Sequence, residues 1–489
     1  MKLTAVQRDR AAGVLLAQAC GDALGVPYEF GRPPSGEAEM KGGGLGPYVP
    51  GEWSDDTQMA ACIAQVSATG AGLTSADALD EIASRFISWR RQGASDIGNQ
   101  TRAVLHGAET GEAAGRRLTE AAEAFAAQHP RSAGNGGLMR GGVVGLTRLG
   151  DRDATARAAR AVARLTHADP LAAESCVLHA EAIRVAVITG TLDLRKGLDL
   201  IDEAGRDQWA GWIEDAESKT PAAFASNGFT VTALQAAWAA IVSTDEGGGD
   251  AEHLQRSLHA AVRIGHDTDT VAAITGALLG ARYGASAVPA KWRRVIHGWP
   301  GLRSRDLIGL AFCTALKGVN PSWDDVADWP HRRSMLAGSA TPIGRTLGGD
   351  DGVIIGTEAD LARHEELGFD AVVSLSRLGP EDLASTGLNP KDHIECWLID
   401  SGDPATNAHL EFALRDAADA IALFRAEGKR VLLHCVAAHH RTPSVALMYA
   451  VCHLGMDPDD AAWDVREALG VSHVGGLIWT TAMEVANAR

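Results

Sequence analysis

The pattern of apolar positions changes about two-thirds of the way along the chain. Up to about residue 318 apolar residues recur at helical spacing in Ala-rich segments with few β-branched runs. Residues 60–68, 154–165 and 254–264 read as amphipathic or buried helices, so 1–318 is expected to be an all-α domain. Residues 319–344 are rich in Gly, Pro, Ser and charge and read as a linker or extended arm, although their tryptophans suggest that part of it packs down. From 345 to 489 the pattern alternates. GVIIG (352–356), DAVVSLS (370–376), HIECWLID (393–400) and RVLLHC (430–435) read as strands. Helices are predicted over 360–367, over 410–427 and from about 443. This βαβ rhythm predicts a second, α/β domain with a mainly parallel sheet. The expected fold class is therefore multidomain.

Length agrees: 489 residues are too many for one ordinary core. With 45 Lys and Arg against 62 Asp and Glu, the net charge is −17, which argues against general nucleic-acid or anionic-membrane binding. No apolar run is long enough to span a bilayer, and MKLTAVQRDRAAG lacks the apolar stretch of a signal peptide. Seven cysteines are scattered without zinc or disulfide spacing. Together these predict a cytoplasmic protein.

Two acidic clusters carry the chemistry of the first domain. SDDTQM contributes Ser54, Asp55 and Asp56; GHDTDTVA contributes Asp267, Asp269 and Thr270. Each runs into a helix-like stretch, so each is open to a plain reading as a helix cap. If the clusters converge, four carboxylates and two hydroxyls share one cavity. Such a set repels itself unless cations lie within it, and hard divalent cations take oxygen ligands of this kind. Two Mg2+ or Mn2+ ions are the expected cofactors.

Further motifs accompany them in order: GDALGVPYEFG with Glu29, DIGNQTR with Asp96, GNGGLMR with Asn135 and THADP with His167. The ordered set resembles the ADP-ribosylglycohydrolase family over roughly residues 8 to 315. Founding members of that family remove ADP-ribose from arginine on dinitrogenase reductase. The resemblance implies that Ser54, Asp55, Asp56, Asp267, Asp269 and Thr270 hold the metals, with serine standing where threonine is usual. It implies a catalytic part for Glu29 and places Asp96, Asn135 and His167 along the ADP-ribose cleft. The implied reaction is metal-dependent hydrolysis of an ADP-ribose glycosidic bond on a protein, with arginine as one candidate linkage, or on a small molecule. Carboxylates suit it, because cleavage at the anomeric carbon builds oxocarbenium character.

The second domain has its own constellation, HCVAAHHRT, at the end of the last predicted strand. Cysteine followed six positions later by arginine resembles the phosphate-binding loop of protein tyrosine and dual-specificity phosphatases, over roughly residue 345 to the end. Loop amides and the next helix's N-terminus would cradle a phosphate and favour a thiolate. On this reading Cys435 is the nucleophile, Arg441 grips phosphate oxygens and Thr442 assists. Asp400 is the first candidate for general acid and Asp403 the second. The sequence departs from the pattern where glycines are usual: Ala438 and His440 occupy those positions. The main rival reading is a sensor that binds ADP-ribose or phosphate esters, with an inactive phosphatase-like domain. A metal-dependent phosphohydrolase would also use clustered aspartates, but the motifs around Gly21 and Gly134 disfavour it.

Overall fold

The computed structural model describes residues 2–318, 340–378 and 386–488. Most of the predicted linker, residues 319–339, lies outside them. The chain forms two compact units, Met1–Val288 with Val295–Asn320, and Pro289–Arg294 with Pro321–Arg489. No helix among the described residues is long and apolar enough to cross a membrane.

Among the described residues the first unit is helical apart from a hairpin of two-residue strands, His297–Gly298 with Leu302–Arg303. Its centre is helix α1 (Ala5–Gly25), started by a capping box between Thr4 and Gln7. From Ala11 onward every residue of α1 is buried. A helix apolar all round must sit inside a core. Helix α3 (Thr268–Tyr283) is buried over nearly its whole length and lies against α1. Glycines set how close the two come. A Cβ at Gly280 would stand 2.1 Å from the carbonyl oxygen of Gly13, and one at Gly25 would stand 2.3 Å from Cα of Asp269. Backbone touches backbone along this seam, which fixes the second acidic cluster against the end of α1. The expected helices over 60–68, 154–165 and 254–264 fall within α2 (Asp55–Ser67), Arg152–Arg164 and Glu252–Arg263.

Among the described residues the second unit holds five strands: β1 (Arg345–Leu347), β2 (Asp350–Thr357), β3 (Ala371–Ser374), β4 (His393–Glu395) and β5 (Val431–Cys435). Their order is β1-β2-β5-β3-β4. β5 runs parallel to β2 and β3 on its two sides, and β3 runs parallel to β4. Only β1 is antiparallel, to β2. All five residues of β5 are buried, as expected of a central parallel strand covered on both faces. Helices α4 (Leu410–Ala426) and α5 (Arg441–Leu454) bury their apolar residues in the same core.

Four local expectations change. The strand expected over 393–400 is confined to β4, His393–Glu395. β1 falls in a stretch whose Gly-Gly-Asp-Asp sequence reads as loop; it is an edge strand closed by a tight turn. The helix expected over 360–367 is a 3-10 turn, Glu358–Arg363, followed by one helical turn, His364–Leu367. Asp360 causes the tight start, because Thr357 N–H and Ile343 N–H both donate to its carboxylate. The segment Pro289–Arg294 groups with the second unit: Ala290 lies in its core, Ala290 N–H donates to Asp416 at 2.7 Å, and Arg293 pairs with Asp416 at 2.9 Å.

Candidate active sites

The plain reading of the acidic clusters was helix capping, and the hydrogen bonds go elsewhere. Ser54 is the N-cap of α2 but makes no side-chain cap bond, and neither does Asp267 at the start of α3. Asp22 does the capping instead. Its Oδ1 accepts from Ser54 N–H and from the Ser54 hydroxyl, both at 2.8 Å, and its Oδ2 accepts from Thr57 N–H at 3.0 Å. Asp55 and Asp56 in the first turn of α2 are thereby left for other work, where the helix dipole favours negative charge. Asp22 was not among the residues read as functional. It stands with Glu29 around the glycine-rich bend of GDALGVPYEFG, where the sequence assigns it no role.

The two clusters do converge. Burial comes first in pushing the carboxyls of Asp55 and Asp56 well above the ordinary range. The charges of Asp22 and Asp267 raise both further, Asp96 acting on Asp55 and Glu29 on Asp56. Asp269 rises likewise, through burial and then through Glu29, Asp56 and Asp267. Burial lifts Glu29 to about 9, with Asp267, Asp96 and Asp55 adding to it. Mutual repulsion of this kind requires that the groups share one place. Oxygens of Glu29, Asp267 and Asp269 lie within 4.8 Å of one another, close enough to hold one ion. Oδ1 of Asp56 is buried without a hydrogen-bond partner. The Ser54 hydroxyl has one proton, given to Asp22, and keeps a lone pair for a ligand. Thr270 is buried, its hydroxyl 3.9 Å from Sδ of Met139. This donor set, all oxygen and over-charged, fits divalent cations.

The surrounding loops hold the clusters in register. Asn135 donates to Asp267 Oδ2 at 2.7 Å and to the carbonyl of Asn227 at 3.1 Å. Asn227 accepts from Asp267 N–H and donates to the Gly265 carbonyl. Phe30 N–H donates to the His266 carbonyl at 2.6 Å, joining the loop that carries Glu29 to the loop that carries Asp267. Both residues have positive φ, 48° and 59°, unusual for side chains of their size and typical of functional loops. Tyr48 is buried beside the cluster; burial, with Asp55, Asp22 and Asp96, raises its pKa. Sequence reasoning missed Asn227, Tyr48 and this pairing of loops, for none stands in a recognisable motif. Asp96 is half-buried and its charge acts on Glu29, Asp55 and Asp267. His167 is 2% exposed and faces the turn Asn135–Gly137.

In the second unit Cys435 ends β5 and is 1% exposed, and Arg441 opens α5. Ala438, between them, has φ 54°, the left-handed region in which glycine is usual. The loop therefore keeps a glycine-like path at a position that lacks the glycine. Asp400 accepts from Nδ1 of His440 at 3.0 Å and lies 3.6 Å from Nε of Arg441. One expectation is modified. Arg441 Nη1 donates to the carbonyls of Leu375 at 2.7 Å and Leu398 at 3.2 Å, so this nitrogen ties the loop to neighbouring strand ends rather than standing free for phosphate. Thr442 Oγ1 is buried without a partner.

The family model described as ADP-ribosylglycohydrolase matches residues 3–319. The ADP-ribosylarginine hydrolase Tri1 of Serratia proteamaculans is 29% identical over 292 residues, 58% of this chain and 74% of that protein. The ADP-ribosyl-[dinitrogen reductase] glycohydrolase of Rhodospirillum rubrum is 28% identical over 293 residues, 58% of this chain and 89% of that protein. A crystal structure of human DUSP28 matches 30% of this chain and 97% of its own at 18% identity and a TM-score of 0.26, too low to assign the second unit's fold.

Proposed function

The chain belongs to the ADP-ribosylglycohydrolase family, and on that premise we propose that its first unit hydrolyses the N-glycosidic bond of ADP-ribosyl-arginine with two divalent cations. The observation that carries the reading is the meeting of the two acidic clusters at the end of α1, where Asp22 holds Ser54 and Thr57 of the first and Gly25 lies against Asp269 of the second. The relatives named for ADP-ribosylarginine and ADP-ribosyl-protein hydrolysis support the substrate class.

Asp55, Asp56, Asp267 and Asp269, with the hydroxyls of Ser54 and Thr270, would hold the ions. When bound, such ions lower the pKa of a water and fix ribose hydroxyls. The rest falls to the chain's own groups. Glu29, half-buried like Asp55, would be ionised once cations offset the cluster's repulsion; it then takes the proton of the water that forms the new C–O bond and passes it to the guanidine nitrogen released as the C–N bond breaks. The carboxylates stabilise positive charge developing on the ribose ring. Asn135 keeps Asp267 oriented through its 2.7 Å bond. The test is incubation with ADP-ribosyl-arginine and Mg2+, following free ADP-ribose. Release that stops with chelator and with Asp269→Ala supports the reading, and release unaffected by both overturns it.

For the second unit we propose a loop, Cys435 to Arg441, that binds a phosphate ester. Support comes from the strand–loop–helix placement of Cys435 and Arg441 and from the left-handed Ala438. Asp400, which accepts from His440 and lies 3.6 Å from Nε of Arg441, is the proposed proton donor. Hydrolysis of an aryl phosphate that is lost in Cys435→Ser and slowed in Asp400→Asn identifies turnover. Protection of Cys435 from iodoacetamide by vanadate, without turnover, identifies a binding domain.

A further inference from the structure

Arg140 is wholly buried, lies 4.7 Å over the ring of Phe86 and points Nη1 at Sδ of Met59, 3.7 Å away. Its Nη2 donates to Thr166 Oγ1 at 2.6 Å, and that oxygen lies 2.8 Å from Nδ1 of His167. The hydroxyl has one proton and two lone pairs. Arg140 takes one lone pair. If Nδ1 of His167 also carried a proton, both neighbours would be donors. The hydroxyl proton of Thr166, a residue with no exposed surface, would then have no acceptor. Leaving a buried polar group unpaired costs about 1–3 kcal/mol. The arrangement is satisfied only when Thr166 donates to Nδ1, which puts the ring proton on Nε2. Burial, helped by the charge of Arg140, holds His167 down to about 3, so the ring is neutral at ordinary pH.

Nε2 has no hydrogen-bond partner among the described residues, although His167 is 98% buried by its 2% exposure. It faces the turn that carries Asn135. A Cβ at Gly136 would stand 3.2 Å from Nε2, and one at Gly134 3.4 Å. The glycines keep this approach open, and Asn135 in the same turn bonds Asp267 of the carboxylate cluster.

We propose that Arg140 and Thr166 are positioning residues that hold His167 as a neutral Nε2–H donor, aimed at an acceptor oxygen of the ligand beside Asn135. The proposal rests on the glycohydrolase reading for the identity of that ligand, but the tautomer is a property of the free protein. A hydroxyl is required at residue 166; a side chain of equal shape without one leaves Nδ1 unmatched and lets the proton move.

The experiment uses the full chain with 15N-labelled histidine. Long-range 1H–15N spectra of the wild type should show a pyrrole-like Nε2 and a pyridine-like Nδ1 for His167, assigned with His167→Gln. In Thr166→Val this signature should change, and affinity for free ADP-ribose in the presence of Mg2+ should fall by roughly two- to tenfold, the worth of one neutral hydrogen bond. Thr166→Ser should restore both. A wild-type ring protonated on Nδ1 overturns the proposal. So does a Thr166→Val protein whose His167 spectrum and ADP-ribose affinity match the wild type. A wild type with the expected tautomer that binds no ADP-ribose leaves the Arg140–Thr166 relay standing and removes the glycohydrolase reading instead.

Discussion

Ser54 gives both its backbone N–H and its hydroxyl proton to one oxygen of Asp22, at 2.8 Å each. The end of α1 thus holds the start of α2, and the carboxylates of α2 are freed from capping. Asp22 is fully buried, and burial raises it to about 6 in spite of these bonds.

Asp22→Asn is therefore expected to act at a distance from the ligand set. An amide oxygen can accept from Ser54, but its NH2 group meets Thr57 N–H donor to donor. Loss of such an orienting partner typically weakens metal affinity by about 10–100-fold. Calorimetric titration with Mg2+ checks this, and unaltered affinity would count against Asp22 as the anchor of the cluster.

The metal-free protein should lose stability as pH rises. A carboxyl whose folded pKa is raised stabilises the fold in its protonated form. That contribution is complete below the ordinary carboxylate pKa and is lost as pH climbs through about 6 for Asp22 and about 9 for Glu29. Divalent cations favour the ionised ligands, so excess Mg2+ should flatten or reverse the slope and release protons on binding. Thermal unfolding in chelator and in Mg2+, from about pH 5 to about pH 9, reads both arms. Parallel curves would show that the carboxylates are not metal ligands.

Gly25→Ala should damage the site through the seam between α1 and α3. The added methyl would stand 2.3 Å from Cα of Asp269, so one backbone must move. Overpacking of this kind costs about 1–3 kcal/mol. The expected result is a lower melting temperature together with weaker Mg2+ binding. Wild-type metal affinity would show that the seam does not set the position of Asp269.

Arg293→Ala should destabilise the second unit. Arg293 and Asp416 pair at 2.9 Å with side chains 7% and 10% exposed. Removing one partner leaves a buried charge alone, at a cost of about 3–5 kcal/mol, whereas replacing both with apolar residues is milder. Denaturant unfolding followed in the second unit should show the single variant far less stable than Arg293→Met with Asp416→Leu. For the same reason, a fragment beginning near Thr341 lacks the partner of Asp416 and should unfold more readily than the full chain. Equal stability would make residues 289–294 dispensable.

The sequence by itself determined the two textures of the chain, the helices of the first unit and most strands of the second, because apolar period is a local property read over one segment. It also named the ligand candidates, since Asp-Asp and Asp-x-Asp beside hydroxyls at helix starts are visible as letters. Only the tertiary structure decided what those letters do. Asp22 is visible beside Glu29 in the glycine-rich bend, but its part as the anchor of Ser54 and Thr57 depends on three bonds across the fold. The same holds for Asn227, for the bond from Phe30 to His266, and for segment 289–294, whose Ala290 and Arg293 take Asp416 as partner across more than a hundred positions. Ala438 shows both limits: its departure from a glycine pattern was legible, but its φ of 54° belongs to the folded loop and is not written in the letter. Long-range contacts carry no periodicity along the chain, so a residue whose role is set by a distant neighbour leaves no mark in its own surroundings.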